Sequence, residues 1–269
     1  MRVGVVGAGG KMGREVCRTV LAHPDLELAV AVDPLFDGTP LAELVGAGGI
    51  TVTGDLVALP ASGVEVAVDF SRLDASRLAL SFCAREGIHA VVGTTGFSAD
   101  DLEGLAGAFA GPGEGAPNCI LAANFAIGAV LMMRFAELAA PWFQGAEIVE
   151  LHHDGKLDAP SGTALRTAER MAAARSVAAD PAFPADRTVT TVVDGARGGA
   201  GPGGVRIHSV RLPGLVAHQE VILGAVGQSL SIRHDSYDRA SFMDGVVLAV
   251  QQVPSRPGLT VGLESLLGL

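Results

Sequence analysis

The amino-acid sequence predicts an α/β fold with two domains. One has a doubly wound parallel sheet, and the other is an inserted α+β domain with a mixed sheet. Through the first half, short apolar strands alternate with segments compatible with helices, which is typical of a parallel sheet. Each of these strands is followed by glycine, hydroxyl or other small polar residues. In the second half, longer strand-like segments follow one another without crossover helices, which indicates a mixed or antiparallel sheet.

Composition excludes several classes of protein. The chain has 269 residues, 49% of them hydrophobic, and a formal net charge of -10, so a sizeable core is expected and nonspecific nucleic-acid binding is not. The three cysteines are expected to be small buried residues in a reducing cytosol. Residues 115–133 carry no formal charge, but a proline and two asparagines interrupt them. We therefore expect a cytoplasmic protein with neither a membrane nor a nucleic-acid partner.

The first element is read from "RVGVVGAGGKMGREV". A strand at 3–6 is followed by a glycine turn and then by a helix at 14–22. Without Cβ atoms the backbone can approach a pyrophosphate, and the helix amino terminus points free N–H groups at it. Gly7, Gly10 and Gly13 give a GxxGxxG spacing, one residue longer than the usual fingerprint. The turn therefore indicates a dinucleotide site, with tight packing of the turn as the alternative.

The second strand, at 26–32, ends at Asp33, 20 residues after Gly13. A carboxylate in this place can accept hydrogen bonds from the adenosine ribose, which favours NADH. Lys11 lies in the glycine turn and could reach a 2′-phosphate, which would permit NADPH. The alternative for Asp33 is a plain turn before Pro34. Either NADH or NADPH remains possible at this point.

The alternation continues to about residue 140. Strands are predicted at 64–68, 88–92 and 119–122, and helices at 72–86, 100–110 and 127–140. These strands end in "DFS", "GTTG" and "ANF", and ligands of an open parallel sheet bind outside its carboxyl edge. We therefore predict a Rossmann-like domain with the nicotinamide and its ribose beside Gly93, Thr94 and Thr95. A structural turn is the alternative.

The second half is predicted to have strands at 147–151, 188–193, 205–212, 215–223 and 228–234, with a helix at 163–174. Residues 194–204 contain six glycines and are expected to be either a disordered loop or a mobile flap over the site. An apolar helix at 241–253 and the chain end are expected to return to the first domain. The predicted domains are therefore 1–123 with 240–269, which bind the dinucleotide, and 124–239, which bind the substrate.

The most informative stretch is "ELHHDGKLDAPSGTAL", which starts at Glu150. His152 and His153 end a predicted strand, and Lys156 follows them. Ser161 is predicted to be the N-cap of a helix whose free N–H groups can bind a carboxylate. No cysteine or carboxylate lies at a spacing suited to a metal, so no metal site is predicted. The local chemistry is carboxylate recognition together with protonation by lysine or histidine.

Four motifs together resemble one family, the 4-hydroxy-tetrahydrodipicolinate (dihydrodipicolinate) reductases of lysine and diaminopimelate biosynthesis. They are "VGVVGAGGKMG", "VVGTTGF", "NFAIGAVLMM" and the "ELHHDGKLDAPSGTAL" segment. The likeness runs in order from residue 2 to beyond residue 260. The resemblance implies reduction of a small dicarboxylate by NADH or NADPH in a homotetramer formed through the substrate domains. The family pattern implied by the resemblance has a basic residue after the acid, whereas this chain has Pro34 after Asp33, so NADH or dual use is expected.

The resemblance also implies roles for individual residues. His152 would be the acid or polarising group and Lys156 the proton donor. The substrate carboxylates would be held by His153, Lys156, Ser161, Gly162 and Thr163, with Arg239 near the site. Matching the motifs and the strand ends to the cofactor gives Gly7, Gly10, Lys11, Met12, Gly13, Asp33, Phe70, Gly93, Thr94, Thr95, Ala123, Asn124 and Phe125.

Two other functions remain open at this point. One is another two-domain NAD(P)-dependent dehydrogenase, for example one that acts on aspartate or a sugar. The other is an NAD-binding regulator without catalysis. The spacing of the two histidines, the lysine and "PSGT" disfavours the first, and the presence of Lys156 disfavours the second.

Overall fold

The fold comes from a computed structural model, which describes residues 1–110, 116–178 and 182–269. The chain divides into two compact units. The first is Met1–Ile127 together with Phe242–Leu269, and the second is Gly128–Ser241. The divisions fall slightly after the predicted ones at 123 and 239.

The first unit contains a parallel sheet of six strands. They are β1 (Arg2–Val6), β2 (Glu27–Val32), β3 (Val66–Asp69), β4 (His89–Val92), β5 (Cys119–Leu121) and β11 (Leu259–Val261), in the order β11-β5-β4-β3-β1-β2. Every pairing is parallel. The apolar runs of β1 to β5 are almost wholly buried, as expected for a sheet covered on both faces.

Helices connect the strands of this unit. They are α1 (Lys11–Ala22), α2 (Leu41–Val45), α3 (Ala58–Ala61), α4 (Leu73–Arg85), α5 (Ala99–Ala108) and α8 (Met243–Gln252). Sequence analysis missed the two short helices α2 and α3, which are too short to show a helical period. The sheet and its crossover helices confirm the predicted Rossmann-like, doubly wound class.

The chain end belongs to this unit. β11 pairs with β5 in register Leu259 to Cys119, an edge strand that the sequence pattern did not reveal. Asn118 holds the junction, since its side-chain amide donates to the carbonyls of Val253 and Pro254 at 3.0 and 3.1 Å. Its amide oxygen accepts from Gly258 N at 3.0 Å. A buried amide with all these partners satisfied fixes the direction in which the chain re-enters the sheet.

The second unit contains a mixed sheet of five strands. They are β6 (Gly145–His152), β7 (Gly199–Ala200), β8 (Arg206–Arg211), β9 (Ala217–Ala225) and β10 (Gln228–Ser236), in the order β10-β9-β6-β8-β7. β6 and β8 are parallel and the other pairings antiparallel, which confirms the predicted mixed sheet. Helix α6 (Ile127–Ala139), after its first residue, and helix α7 (Gly162–Val177) complete the unit.

The predicted strand at 188–193 is wrong. These residues have no regular structure, and Val189 and Val192 are 98% and 91% exposed. The place beside β8 is taken by β7, whose Gly199 pairs with Ile207. A β-prone run forms a stable strand when one of its faces is buried, and residues 188–193 are exposed throughout.

The glycine-rich segment at 194–204 is not wholly irregular. It forms a turn, then β7, then a 3-10 turn at Pro202–Gly204. Gly203 and Gly204 have φ of 64° and 81°, a conformation that favours glycine. The predicted flap role of this segment stays a prediction.

The described part of the uncharged stretch at 115–133 forms β5 and the first half of α6. Among the residues that the structure describes, no helix combines the length and the apolar character needed to cross a membrane.

Candidate functional sites

The first site lies at the carboxyl edge of the parallel sheet, where all of its strand ends meet. Gly7 follows β1 with φ of 79°, and its N–H donates to Val32 O at 2.8 Å. Gly10 N donates to Gly7 O at 3.0 Å and closes the turn. A Cβ on Gly13 would lie 2.0 Å from Gly7 O, so glycine at 13 is what lets α1 start directly against the turn.

This turn fits a dinucleotide pyrophosphate. Gly10 is the N-cap of α1 and has no side chain with which to cap it, so the cap residue leaves the N–H groups of the first turn available to an anion. Lys11 is exposed at the same helix start, and Met12 beside it is half-buried. The residues present therefore suit an anionic cofactor.

Asp33 lies at the end of β2 and is buried. Its Oδ2 accepts from Gly9 N at 2.9 Å and its Oδ1 from Leu35 N at 3.1 Å. The carboxylate thus holds the glycine turn in place and caps the 3-10 turn at Pro34–Phe36. Each oxygen keeps a second lone pair for a ribose hydroxyl.

The remaining strand ends form a compact group. A Cβ on Gly93 would lie 2.0 Å from the Phe70 ring, and the rings of Phe70 and Phe125 are 5.6 Å apart. Thr94 is buried and donates to Ser71 O at 3.2 Å. Thr95 and Ala123 are exposed beside this group, and Asn124 Oδ1 accepts from Ala126 N at 2.9 Å. The structure therefore brings the predicted nicotinamide residues to one edge, although Phe125 has little free surface.

Asp69 is a residue of this edge that the sequence reasoning did not select. Its buried carboxylate accepts from Ser71 N at 2.9 Å and from the hydroxyls of Ser76 and Thr94. Burial raises the pKa of Asp69, although these three partners act in the opposite direction. The side chain ties the ends of β3 and β4 to α4. Its only signal in the sequence was an acid that directly follows three apolar strand residues.

The second site lies at the carboxyl end of β6, in the second unit. On the inward face of β6, Ala146 and Ile148 are buried, and the next inward position is Glu150, 0% exposed. Arg211 from β8 makes a bidentate ion pair with it, at 2.8 and 2.9 Å. His152 Nδ1 lies 2.6 Å from Glu150 Oε2. Sequence analysis missed both Glu150 and Arg211, although a charged residue in an inward position of a strand was the available signal.

Opposing effects act on the pKa values of Glu150 and His152. Burial acts to raise the pKa of Glu150, but hydrogen bonds from Arg211, Ser209 and His152 outweigh it, so the pKa is lowered. The carboxylate is therefore charged at neutral pH. Burial lowers the pKa of His152, although Glu150 acts against that shift. His152 is thus a neutral imidazole that donates from Nδ1 and leaves the lone pair of Nε2 free to accept.

Lys156 lies in the loop that follows. Its ammonium donates to both carboxylate oxygens of Asp158, at 2.7 and 2.9 Å, and the lysine side chain is 21% exposed. The hydrogen bonds from Lys156 lower the pKa of Asp158. His153 lies just outside β6 and is exposed, so His152 is the histidine that the strand turns inward. Asp158 was also missed by sequence reasoning.

Helix α7 begins at this loop, as predicted. Ser161 is its N-cap, and the serine Oγ accepts from Ala164 N at 3.2 Å. Ser161 N donates to Glu150 Oε1 at 3.3 Å. Gly162 is exposed and Thr163 half-buried in the first turn. The structure therefore brings the helix start and His152 onto one carboxylate.

Arg239 is placed differently. It lies exposed in the 3-10 turn Arg239–Phe242, at the end of the second unit. Within the parts of the chain that the structure describes, no hydrogen bond or ion pair joins it to His152 or Lys156. Nor do the described residues contain a group of three His, Cys, Asp or Glu side chains that could hold a metal ion.

The Glu150 ion pair predicts how stability depends on pH. Glu150→Gln is expected to lower the free energy of unfolding by about 3 kcal/mol near neutral pH, because Arg211 is left buried without its charged partner. Since the folded-state pKa of Glu150 is lowered, its stabilising effect is present above the ordinary carboxyl pKa of about 4.3 and is lost as the pH falls below it. Urea unfolding of the wild type and of Glu150→Gln at several pH values measures the gap between their free energies of unfolding. It should shrink on acidification, and a gap that widened would contradict the ion-pair account.

The fold and the two sites define a class, a two-domain oxidoreductase with a Rossmann-like nucleotide-binding unit and a separate unit that carries a histidine, a lysine and a helix start. The chain belongs to the dihydrodipicolinate reductase family. The model described as "Dihydrodipicolinate reductase, N-terminus" matches residues 1–125, and the model of the C-terminus matches residues 128–267.

Sequence similarity to named relatives extends along the whole chain. The chain is 50% identical to the 4-hydroxy-tetrahydrodipicolinate reductases of Corynebacterium aurimucosum and Nocardia farcinica, over 100% of this chain and 99% of each relative. Among solved structures, the dipicolinate-bound dihydrodipicolinate reductase from Paenisporosarcina sp. TG-14 superposes with a TM-score of 0.84 at 38% identity, covering 98% of both chains.

Proposed function

We propose that this protein reduces 4-hydroxy-tetrahydrodipicolinate to tetrahydrodipicolinate with NADH or NADPH, as a step of lysine and diaminopimelate biosynthesis. The observation that carries the proposal is the group of His152, Lys156 and the Ser161 helix start in one unit of a chain whose other unit is a dinucleotide fold. The relatives that share the whole length of the chain carry this reductase name.

The cofactor is assigned to the first unit. Gly7, Gly10 and Gly13 with the start of α1 would hold the pyrophosphate, and Asp33 would hold the adenosine ribose. Met12, Phe70, Gly93, Thr94, Thr95, Ala123, Asn124 and Phe125 would surround the nicotinamide end. When bound, the nicotinamide supplies a hydride to the unsaturated ring of the substrate.

The substrate is assigned to the second unit. Two carboxylates need several donors, and His153, Lys156, Ser161, Gly162 and Thr163 supply them from a loop and a helix amino terminus. A dicarboxylate would compete with Asp158 for the Lys156 ammonium. Dipicolinate is the ligand named for the solved relative from Paenisporosarcina. Arg239 is proposed only as a residue near the site.

Protonation is assigned to Lys156 and polarisation to His152. The 4-hydroxyl group of the substrate leaves as water, which gives the unsaturated ring. Reduction of that ring takes the hydride and one proton, and the proton is needed at the ring carbon that becomes basic as the hydride arrives. A Lys156 ammonium held against the substrate carboxylates can deliver it. His152 Nε2 accepts a hydrogen bond or a proton, because Nδ1 is committed to Glu150. Arrival of two negative charges favours its protonated form, in which Nε2 becomes a donor.

A coupled assay tests the activity. Substrate is generated in place from pyruvate and aspartate semialdehyde by a synthase, and cofactor oxidation is followed by absorbance with NADH and NADPH in parallel. We expect oxidation that depends on the synthase. A folded protein that binds NADH but oxidises neither cofactor under these conditions would contradict the proposed function.

The same assay ranks the cofactors. A carboxylate at Asp33 suits a ribose diol and repels a 2′-phosphate, whereas exposed Lys11 can offset that repulsion. We therefore expect kcat/KM for NADH to equal or exceed that for NADPH. Asp33→Asn should raise the NADPH value relative to NADH, and an unchanged ratio would remove Asp33 from cofactor choice.

Assembly and location complete the proposal. We infer a homotetramer formed through the second units, in the cytoplasm. Exposed apolar side chains in that unit, such as Trp142, Leu212 and Val226, support association. Light scattering coupled to gel filtration measures the state, and a monomer at micromolar concentration would contradict it.

A further inference from the structure

We propose that Glu150, held charged by Arg211, is the positioning residue of the second site, which fixes the tautomer of His152 and ties that ring to the start of α7. The proposal deepens the proposed function, on which it rests only for the nature of the ligand. Neither Glu150 nor Arg211 is needed to contact the substrate.

The geometry carries the first step. Glu150 has no exposed surface, and its two oxygens are shared among three elements. Oε1 accepts from Arg211 of β8 and from the Ser161 amide of α7, and Oε2 accepts from Arg211 and from His152. A carboxylate without exposed surface that is bound in this way cannot rotate without breaking several charge-assisted hydrogen bonds. The ring of His152 and the helix start are therefore held in one fixed relation.

The charge balance carries the second step. A bare buried carboxylate 2.6 Å from an imidazole would favour a permanent imidazolium. The guanidinium of Arg211 neutralises Glu150, so Glu150 orients the ring without keeping it charged. Lys156 of the loop also acts to lower the pKa of His152, and its ammonium is paired with Asp158. The result is a neutral His152 with its proton on Nδ1 and an accepting Nε2.

This arrangement has a consequence for ligand binding. A dicarboxylate adds negative charge near a ring that is neutral and already oriented, so it should bind together with a proton taken up at Nε2. Without the Glu150 anchor, the ring would no longer prefer the Nδ1–H tautomer. The ring would then be a mixture of the two tautomers, and the accepting Nε2 would no longer be reliably available to the ligand.

A matched group on the same strand provides the control. Glu147 also pairs with an arginine and a histidine, since Arg197 Nη2 lies 2.5 Å from its Oε1 and His208 Nε2 lies 2.7 Å from its Oε2. It lies on the opposite face of β6 and has no role in the proposed site. Glu147→Gln therefore makes the same chemical change away from His152.

The first experiment reads the tautomer. Histidine labelled with ¹⁵N is incorporated into the wild type and three variants, one of which, His152→Asn, assigns the His152 signals by their absence. We expect Nδ1–H in the wild type near pH 8. In Glu150→Leu with Arg211→Met, which leaves no buried charge unpaired, the Nδ1–H preference should be lost. Glu147→Gln should leave the pattern unchanged. A wild-type proton on Nε2, or an unchanged tautomer in the folded double variant, would overturn the proposal.

The second experiment separates charge from orientation. Glu150→Gln keeps an acceptor for Nδ1 but removes the negative charge, so we expect the tautomer to persist and the pKa of His152 to fall further. Calorimetry with pyridine-2,6-dicarboxylate in buffers of different ionisation enthalpy should show proton uptake by the wild type near pH 7. In Glu150→Gln we expect less uptake and an affinity reduced by about tenfold. Uptake and affinity equal to the wild type would overturn the positioning role.

The two arms also separate this inference from the proposed function. If the wild type bound no dicarboxylate, the proposed substrate would be wrong. The tautomer experiment uses no ligand, and its result would still decide whether Glu150 orients His152.

Discussion

Replacement of Lys156 by alanine is expected to lower kcat by at least about 100-fold, the range of a lost general acid. The affinity for NADH should change little, because the proposed cofactor residues lie in the other unit. The ammonium near Asp158 is proposed to supply the proton that completes the reduction, and an alanine side chain has no proton to donate. Steady-state kinetics and NADH titration by fluorescence measure the two effects. An unchanged kcat would remove Lys156 from the donor role.

Lys156→Arg serves as the informative control for this prediction. Arginine keeps the positive charge for the substrate carboxylates but does not release a proton at accessible pH. We therefore expect a KM for the substrate close to that of the wild type and a kcat nearly as low as that of Lys156→Ala. An arginine variant with wild-type kcat would show that charge alone is required at this position.

Replacement of Gly13 by alanine is expected to abolish measurable cofactor binding and to destabilise the first unit by about 2 kcal/mol or more. The new Cβ would lie 2.0 Å from Gly7 O and 2.7 Å from Gly7 C. Both atoms are backbone, so no side chain can rotate away, and either α1 or the glycine turn has to shift. The N–H groups that would hold the pyrophosphate shift with them. Thermal unfolding and NADH titration measure the two losses.

The matched control is Gly104→Ala, the same exchange within helix α5 of the same unit. A Cβ there meets no atom within 4 Å, so the variant should bind NADH normally. Its stability should be equal to the wild type or higher by up to about 1 kcal/mol, because alanine is the better helix former. Equal effects of the two exchanges would mean that helix propensity, and not the fit of the turn, governs Gly13.

Much of the fold follows from local pattern. Apolar runs bounded by glycine or polar residues locate β1 to β5, and helical periods locate the long helices between them. The predictions of secondary structure failed where the local sequence pattern does not determine the element. The run at 188–193 has β propensity but buries neither face, and the short helices α2 and α3 are too brief for a period. β11 is a strand because it pairs with the edge of β5. Its own three residues do not indicate this pairing.

The sites divide in the same way. The sequence by itself determined the glycine turn, the helix start at Ser161 and the adjacent His152 and Lys156, because these features depend on residue type and short spacing. Only the tertiary structure decided which partners they have. Arg211 reaches Glu150 from 61 residues away, through the parallel pairing of β6 and β8. Asp69 likewise ties together strand ends that are distant in sequence. Buried charges acquire their state from neighbours brought by the fold, so the protonation of His152 is a property of the assembled sheet and not of the motif.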